Sequence, residues 1–190
     1  MARYDDPRIL RAIAHPVRNR ILSELYAVGS LRAADIAREL DVPANQASFH
    51  LRQLAKYGLV EEAPEEARDR RDRVWRLADP SGISFRTKDV ETQPGGKAAV
   101  GVFRRQARAW GHRLVESAYA EEPLPEDQNR TISDWSLRLT REEVDELSGE
   151  LDRLVQSWRD RTQGDGGGRT TYSLFAVLQP YPEVPEDSGT

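Results

Sequence analysis

The sequence predicts a mainly helical α+β fold in two unequal halves, and three observations carry that prediction. Between residues 7 and 57 apolar positions recur at three and four residues, the period of helices with one buried face. Two short runs rich in β-formers then flank a charged turn, the pattern of a hairpin. Beyond residue 97, helical and strand-like patterns alternate in the order helix, strand, helix, strand.

Composition bounds the possibilities. A chain of 190 residues has room for one or two small domains. Its 38% apolar and 32% charged residues suit a soluble protein with a wet surface and a modest core. No run of about 18 apolar residues occurs, so no membrane span or membrane partner is expected. The opening MARYDDPRIL lacks the apolar stretch of a secretory signal. Without cysteine there is neither a disulfide framework nor a thiolate metal site, and the expected compartment is the cytoplasm. The net charge of −4 is uneven: residues 1–80 hold 14 basic and 13 acidic residues, residues 81–190 hold 14 and 19.

Pro7 to Ala14 form a short helix that ends before His15-Pro16, with Ile9, Leu10 and Ile13 on its apolar side. A second opens at Pro16 and runs to about Ala27, turning Val17, Ile21, Leu22 and Leu25 inward, until Gly29 and Ser30 break it. Leu31 to Leu40 make a third, with Ala33, Ala34, Ile36, Ala37 and Leu40 inward. The connection Asp41-Val42-Pro43 is tight, with Asp41 or Val42 as N-cap and Pro43 at the first helical position of a fourth helix over about 43–57. These helices make a helix-turn-helix.

In the fourth helix Ala47, Leu51 and Leu54 form one narrow buried stripe, and Gly58 is a left-handed stop. The opposite face presents Asn45, Gln46, Ser48, Phe49, His50, Arg52 and Gln53. That set matches a DNA major groove: Asn and Gln pair bidentately with adenine, Ser takes either donors or acceptors, and Arg reads guanine or phosphate. A phenyl ring can cover a thymine methyl. An ordinary amphipathic surface helix carries similar residues, so the segments on either side decide between the two. Leu59–Ala63 and Arg73–Leu77 enclose the charged turn PEEARDRRD, the wing of a winged helix. Arg68, Arg70, Arg71 and Arg73 are placed there for phosphates or a minor groove; the alternative is that they neutralise Glu65, Glu66, Asp69 and Asp72.

The runs ILRAIAHPVRNRILSEL, ADIARELDVPANQASFHLRQLAKYGLVEE and RVWRL resemble the ArsR-type winged-helix transcriptional regulators over roughly residues 8–78. The most specific pieces are AHPVRNRIL and SFHLRQLAKYGLV. The resemblance implies a homodimer presenting two recognition helices to successive major grooves, with Asn45, Gln46, Ser48, Phe49 and His50 at base-contact positions. Metal sensing does not carry over, because LRAADIAREL has no Cys or His. His112 and Glu116 share an i, i+4 spacing, but two ligands are too few for a site, and no cofactor is expected.

Residues 81–97 lie within a Pro- and Gly-rich stretch, 79–97, that divides a DNA-binding domain over 1–80 from a dimerisation or effector domain over 98–180. The stretch is expected as a linker or loose extension in which Ile83-Ser84-Phe85 can add a strand. A helix over Ala98 to about Ala120 aligns Phe103, Ala107, Trp110 and Leu114. Thr131–Leu139 alternates as a strand. Thr140 and Glu143 then form a capping box, and Val144, Leu147, Leu151, Leu154 and Trp158 make a seam two heptads long. That seam needs a sheet, the preceding helix or a second subunit to pack on. Thr170–Leu178 is a second strand, and 181–190 a disordered tail. Trp110, Trp135, Trp158, Tyr172 and Phe175 are the core of this half or a dimer seam, the alternative being the lining of an effector pocket for an unidentified small molecule.

The function these features imply is a sequence-specific regulator of double-stranded DNA, a repressor acting as a homodimer and associated with the nucleoid when bound. The alternative is a protein-interaction module in which DNA is secondary. An enzyme is not expected: no nucleophile–base pair or ligand cluster is visible, and Gly164–Gly168 lacks the Lys-Ser/Thr of a P-loop.

Overall fold

The computed structural model describes residues 2–67, 73–164 and 168–183. In chain order the elements are β1 (Ala2–Arg3), α1 (Pro7–Ile13), α2 (Pro16–Val28), β2 (Ser30–Arg32), α3 (Ala33–Glu39), α4 (Ala44–Lys56), β3 (Val60–Glu62), β4 (Val74–Leu77), β5 (Ile83–Ser84), α5 (Thr87–Glu91), α6 (Gly96–Ala118) and α7 (Arg141–Thr162). No helix among the described residues is long and apolar enough to cross a membrane. The chain is mixed α+β, with a winged helix at its N-terminal end.

The winged helix closes on one apolar cluster. Ile21 and Leu25 of α2, Ile36 of α3, Ala47, Leu51 and Leu54 of α4, and Leu59 beyond it are all within 1% of full burial. Burying such side chains is worth about 1.5–3 kcal/mol each, which holds short helices that would be marginal alone. β3 and β4 pair antiparallel with Glu61 opposite Arg76, the hairpin expected for the wing. The tip positions 68–72 lie outside the described residues.

Local details differ from expectation. Leu31 and Arg32 do not start α3 but belong, with Ser30, to a third strand on β4, with Leu31 opposite Trp75. Ala34 is exposed. The N-cap of α4 is Pro43, and Asp41 instead occupies the left-handed region at φ 51°, where its short polar side chain is tolerated. The turn is held by Asp41 N–H to Arg38 C=O (3.2 Å) and Val42 N–H to Ala37 C=O (3.0 Å).

The stretch 79–97, expected as a linker, holds ordered packing. β5 pairs in parallel with β1, and Val90 of α5 is buried with Leu10, Ala99 and Val100. Phe103 touches both this cluster and the winged-helix core, so the start of α6 is part of the same body.

The two strands expected at Thr131–Leu139 and Thr170–Leu178 do not form: both segments run without helix, strand or turn. A strand requires a neighbour for its backbone groups, and among the described residues none pairs with either segment. Nor are the aromatic residues of this half a core, since Trp110, Trp135, Trp158, Tyr172 and Phe175 are all exposed. The helix between the two segments does form as read. Thr140 Oγ1 accepts from Glu143 N–H (3.2 Å) while the Glu143 carboxylate accepts from Thr140 N–H (2.7 Å). α7 lies against α2, where the Arg159 guanidinium sits 4.3 Å from the Tyr26 ring centre and Tyr26 Oη donates to Gln156 Oε1 (3.3 Å). Its Leu151, Leu154 and Trp158 stay exposed.

A Cβ at Gly96 would stand 1.8 Å from the Val90 carbonyl oxygen, whereas one at Gly101 would meet only the flexible end of Arg105 at 3.8 Å. Gly96→Ala should therefore destabilise by about 1–3 kcal/mol through overpacking. Gly101→Ala should stabilise by about 0.5–1 kcal/mol. Urea unfolding midpoints of the two variants, moving in opposite directions from the wild type, check this.

Candidate nucleic-acid interface

The site is built from α4 outward. Because Ala47, Leu51 and Leu54 are pinned in the core, the helical period turns Asn45, Gln46, Phe49 and Arg52 to the outside, and all four are exposed. Ser48 and Gln53 are half-buried at the margin. Phe49, a large apolar ring with 49% of its surface exposed, is free to cover an apolar group on a partner. Asn45 Oδ1 accepts from Gln46 N–H (2.9 Å), a local contact that a base edge would displace. Lys56 continues the Asn45, Phe49, Arg52 row by four residues and is also exposed. Its spacing made it findable, yet it was not among the expected contacts.

His50 departs from expectation. It is only 4% exposed and faces inward, so it is not positioned to touch a base. Its ring packs 4.6 Å from that of His15 between α1 and α2, and edge-on to Phe49 at 5.4 Å. Nothing in the spacing around His50 signals this pairing, which joins residues 35 positions apart through the tertiary fold. The Nδ1 atoms of both rings are buried without a hydrogen-bond partner among the described residues. Burial first, and then neighbouring charge including Arg18, pushes both imidazoles below their ordinary value of 6.5.

At the wing, Arg73 is exposed beside Glu62, with Nη1 3.3 Å from Oε1. Such an exposed pair is worth little and is readily exchanged for a phosphate. Arg76 on β4 is instead engaged by Glu61 (2.8 Å) and Glu65, which hold its guanidinium firmly charged. Arg68, Arg70 and Arg71 lie outside the described residues. On α3, Asp35 accepts from Arg32 Nε (2.6 Å) and Arg38 Nη2 (2.9 Å), contacts that lower its pKa and tie the start of the helix-turn-helix to β2.

Of the residues expected at a dimer or effector seam, Phe103 is half-buried between the two clusters and Leu147 is half-buried on α7. Trp110, Leu151, Leu154 and Trp158 are exposed. Trp110 and Phe175 line a half-open cavity of about 370 Å³ between α2 and α6, together with Val17, Val42 and Arg113. Trp135, Trp158 and Tyr172 are not in its wall. Among the described residues no group of three or more His, Asp or Glu converges as metal ligands would, and His112 and Glu116 are exposed on α6.

Residues 13–63 match the family described as "Helix-turn-helix domain", so the chain carries a helix-turn-helix domain over α2 to β3. Among curated proteins none matches the sequence. Solved structures similar to it include two that align with most of this chain. One is the apo form of a ZitR mutant of Lactococcus lactis, 17% identical over 76% of this chain and 83% of that one, with a TM-score of 0.31. The other is the YusO protein of Bacillus subtilis, 17% identical over 80% and 84%, with a TM-score of 0.33.

The two histidines give the domain a signed pH dependence. Their folded pKa values are depressed, so the neutral rings contribute stability that is full above the ordinary value of about 6.5 and lost as pH falls below it. Urea unfolding should show a lower midpoint at pH 5.5 than at pH 7.5. His15→Gln should shrink that difference, and an unchanged pH slope in the variant would place its origin elsewhere.

Proposed function

We propose that the protein is a sequence-specific double-stranded DNA-binding transcriptional regulator. It acts as a homodimeric repressor and works in the cytoplasm without a catalytic step. The observation that carries this reading is the outward row of Asn45, Gln46, Phe49 and Arg52 on a helix whose other face is completely buried. Amide, guanidinium and phenyl groups on one exposed helical face are the chemistry of base edges and thymine methyls. Arg52 has no ion-pair partner among the described residues, which leaves its charge for guanine or phosphate. The helix-turn-helix match over residues 13–63 supports the same reading.

In this reading α4 enters the major groove, with Asn45, Gln46, Ser48, Phe49 and Arg52 at or beside the bases. The wing, through Arg73 and the arginines of its tip, follows the phosphates or the minor groove. His50 is withdrawn from the contact set and instead sets the height of α4 above His15. Repression is the role that the resemblance to ArsR-type regulators implies. Two copies would place their helices about 34 Å apart, one turn of the duplex. A protein-interaction module remains the competing reading, favoured by the exposed apolar row on α7.

Selection from random duplexes should recover a two-fold symmetric motif, and none would emerge from a module that binds only protein. Within that motif, Asn45→Ala or Gln46→Ala should cost about 1–3 kcal/mol at a single base position and relax selectivity there. Arg73→Ala should weaken binding to every duplex alike and flatten the dependence on salt. Identical profiles from the two classes of variant would overturn the division between helix and wing.

A further inference from the structure

We infer that residues 131–139 form a strand only between two copies of this chain, each pairing antiparallel with the same segment of the other about a two-fold axis through Ser136. This deepens the homodimer proposed above and names its contact surface.

Among the described residues, no backbone N–H or C=O of 131–139 bonds to another backbone group. The segment nevertheless alternates as a strand does, and it holds Trp135 and Leu137 at 79% and 61% exposure. Open backbone groups beside exposed large apolar side chains are the condition that draws in another strand. The ends are tied: Arg130 Nη1 donates to Ala118 C=O (3.2 Å) and Ala120 C=O (2.9 Å), and Thr140 caps α7. The segment is therefore a held bridge between α6 and α7, presented for pairing.

The sequence of the bridge selects a second copy as its occupant. With Ser136 opposite itself, antiparallel register sets Asp134 against Arg138 of the second copy, and Arg138 against its Asp134. On the other face Trp135 then meets Leu137 of the second copy, and the reverse. Both ion pairs and both apolar pairs are generated twice by one rotation, the signature of an isologous contact. Neither charge has an ion-pair partner within the chain among the described residues. The other unpaired segment, 170–178, contains no charged residue, so its sequence selects no register with itself.

The test uses the full chain, which has no cysteine of its own. Single replacements Ser133→Cys, Ser136→Cys and Ser173→Cys are oxidised and run on denaturing gels. The covalent dimer should be strongest at 136, and a maximum at 173 would overturn the register in favour of the other segment. In sedimentation equilibrium, D134R or R138D alone should weaken the dimer on the order of tenfold, since like charges then face each other twice. The double exchange D134R/R138D should restore it. These side chains lie on the surface, so an unchanged circular dichroism spectrum confirms that the variants fold. A chain that stays monomeric, or a dimer indifferent to both single exchanges, would sink the inference. A dimer that behaves as described but selects no DNA sequence would instead sink the regulator reading and leave this one standing.

Discussion

The structure depends on the burial of one narrow stripe, Ala47, Leu51 and Leu54, against α2, α3 and the strand that follows. Nothing else fixes the rotation of α4 about its own axis as strongly, because the outward side chains make few contacts that could compete. Removing one of these leucines would leave a cavity costing about 2–5 kcal/mol, a large part of the stability of a small domain. The buried stripe and the exposed row are two sides of one constraint. A helix held by a single face can lay its opposite face in a groove without disturbing the core.

Around that helix the supporting contacts are polar and local. Asp35 links Arg32 and Arg38 across the start of α3, and the positive φ of Asp41 lets the chain turn sharply enough to begin α4 at once. The His15–His50 contact is different in kind, since it packs two titratable rings together with Nδ1 atoms that find no partner among the described residues. Two neutral rings fill the space between α1, α2 and α4, and a proton on either would be held beside Arg18 with little water to screen it.

The C-terminal half follows another logic. α6 begins inside the body of the winged helix through Val100 and Phe103, then runs outward with most of its surface exposed. α7 returns to α2 through Tyr26, Gln156 and Arg159, and Thr171 Oγ1 donates to the buried Glu24 carboxylate (2.9 Å). These anchors position the two open segments and the α7 row without covering them. Apolar side chains left so exposed are the ones the proposed second copy would cover.

Periodicity alone determined the four helices of the N-terminal half, the hairpin, the capping box at Thr140 and the stop at Gly58, because each is decided within a few residues by burial pattern or backbone freedom. The same local signals marked Asn45, Gln46, Phe49 and Arg52 as outward. Tertiary structure decided what depends on distant neighbours. His50 turned inward because His15 waits there, and Ser30–Arg32 became a strand because β4 offers an edge. Residues 79–97 became ordered because Val90 finds Leu10 and Val100. Strands were expected at 131–139, from its alternation, and at 170–178, and neither formed; alternation states only which way side chains would face in a sheet. Whether a strand forms depends on a second backbone, and the described residues of a single chain do not provide one here.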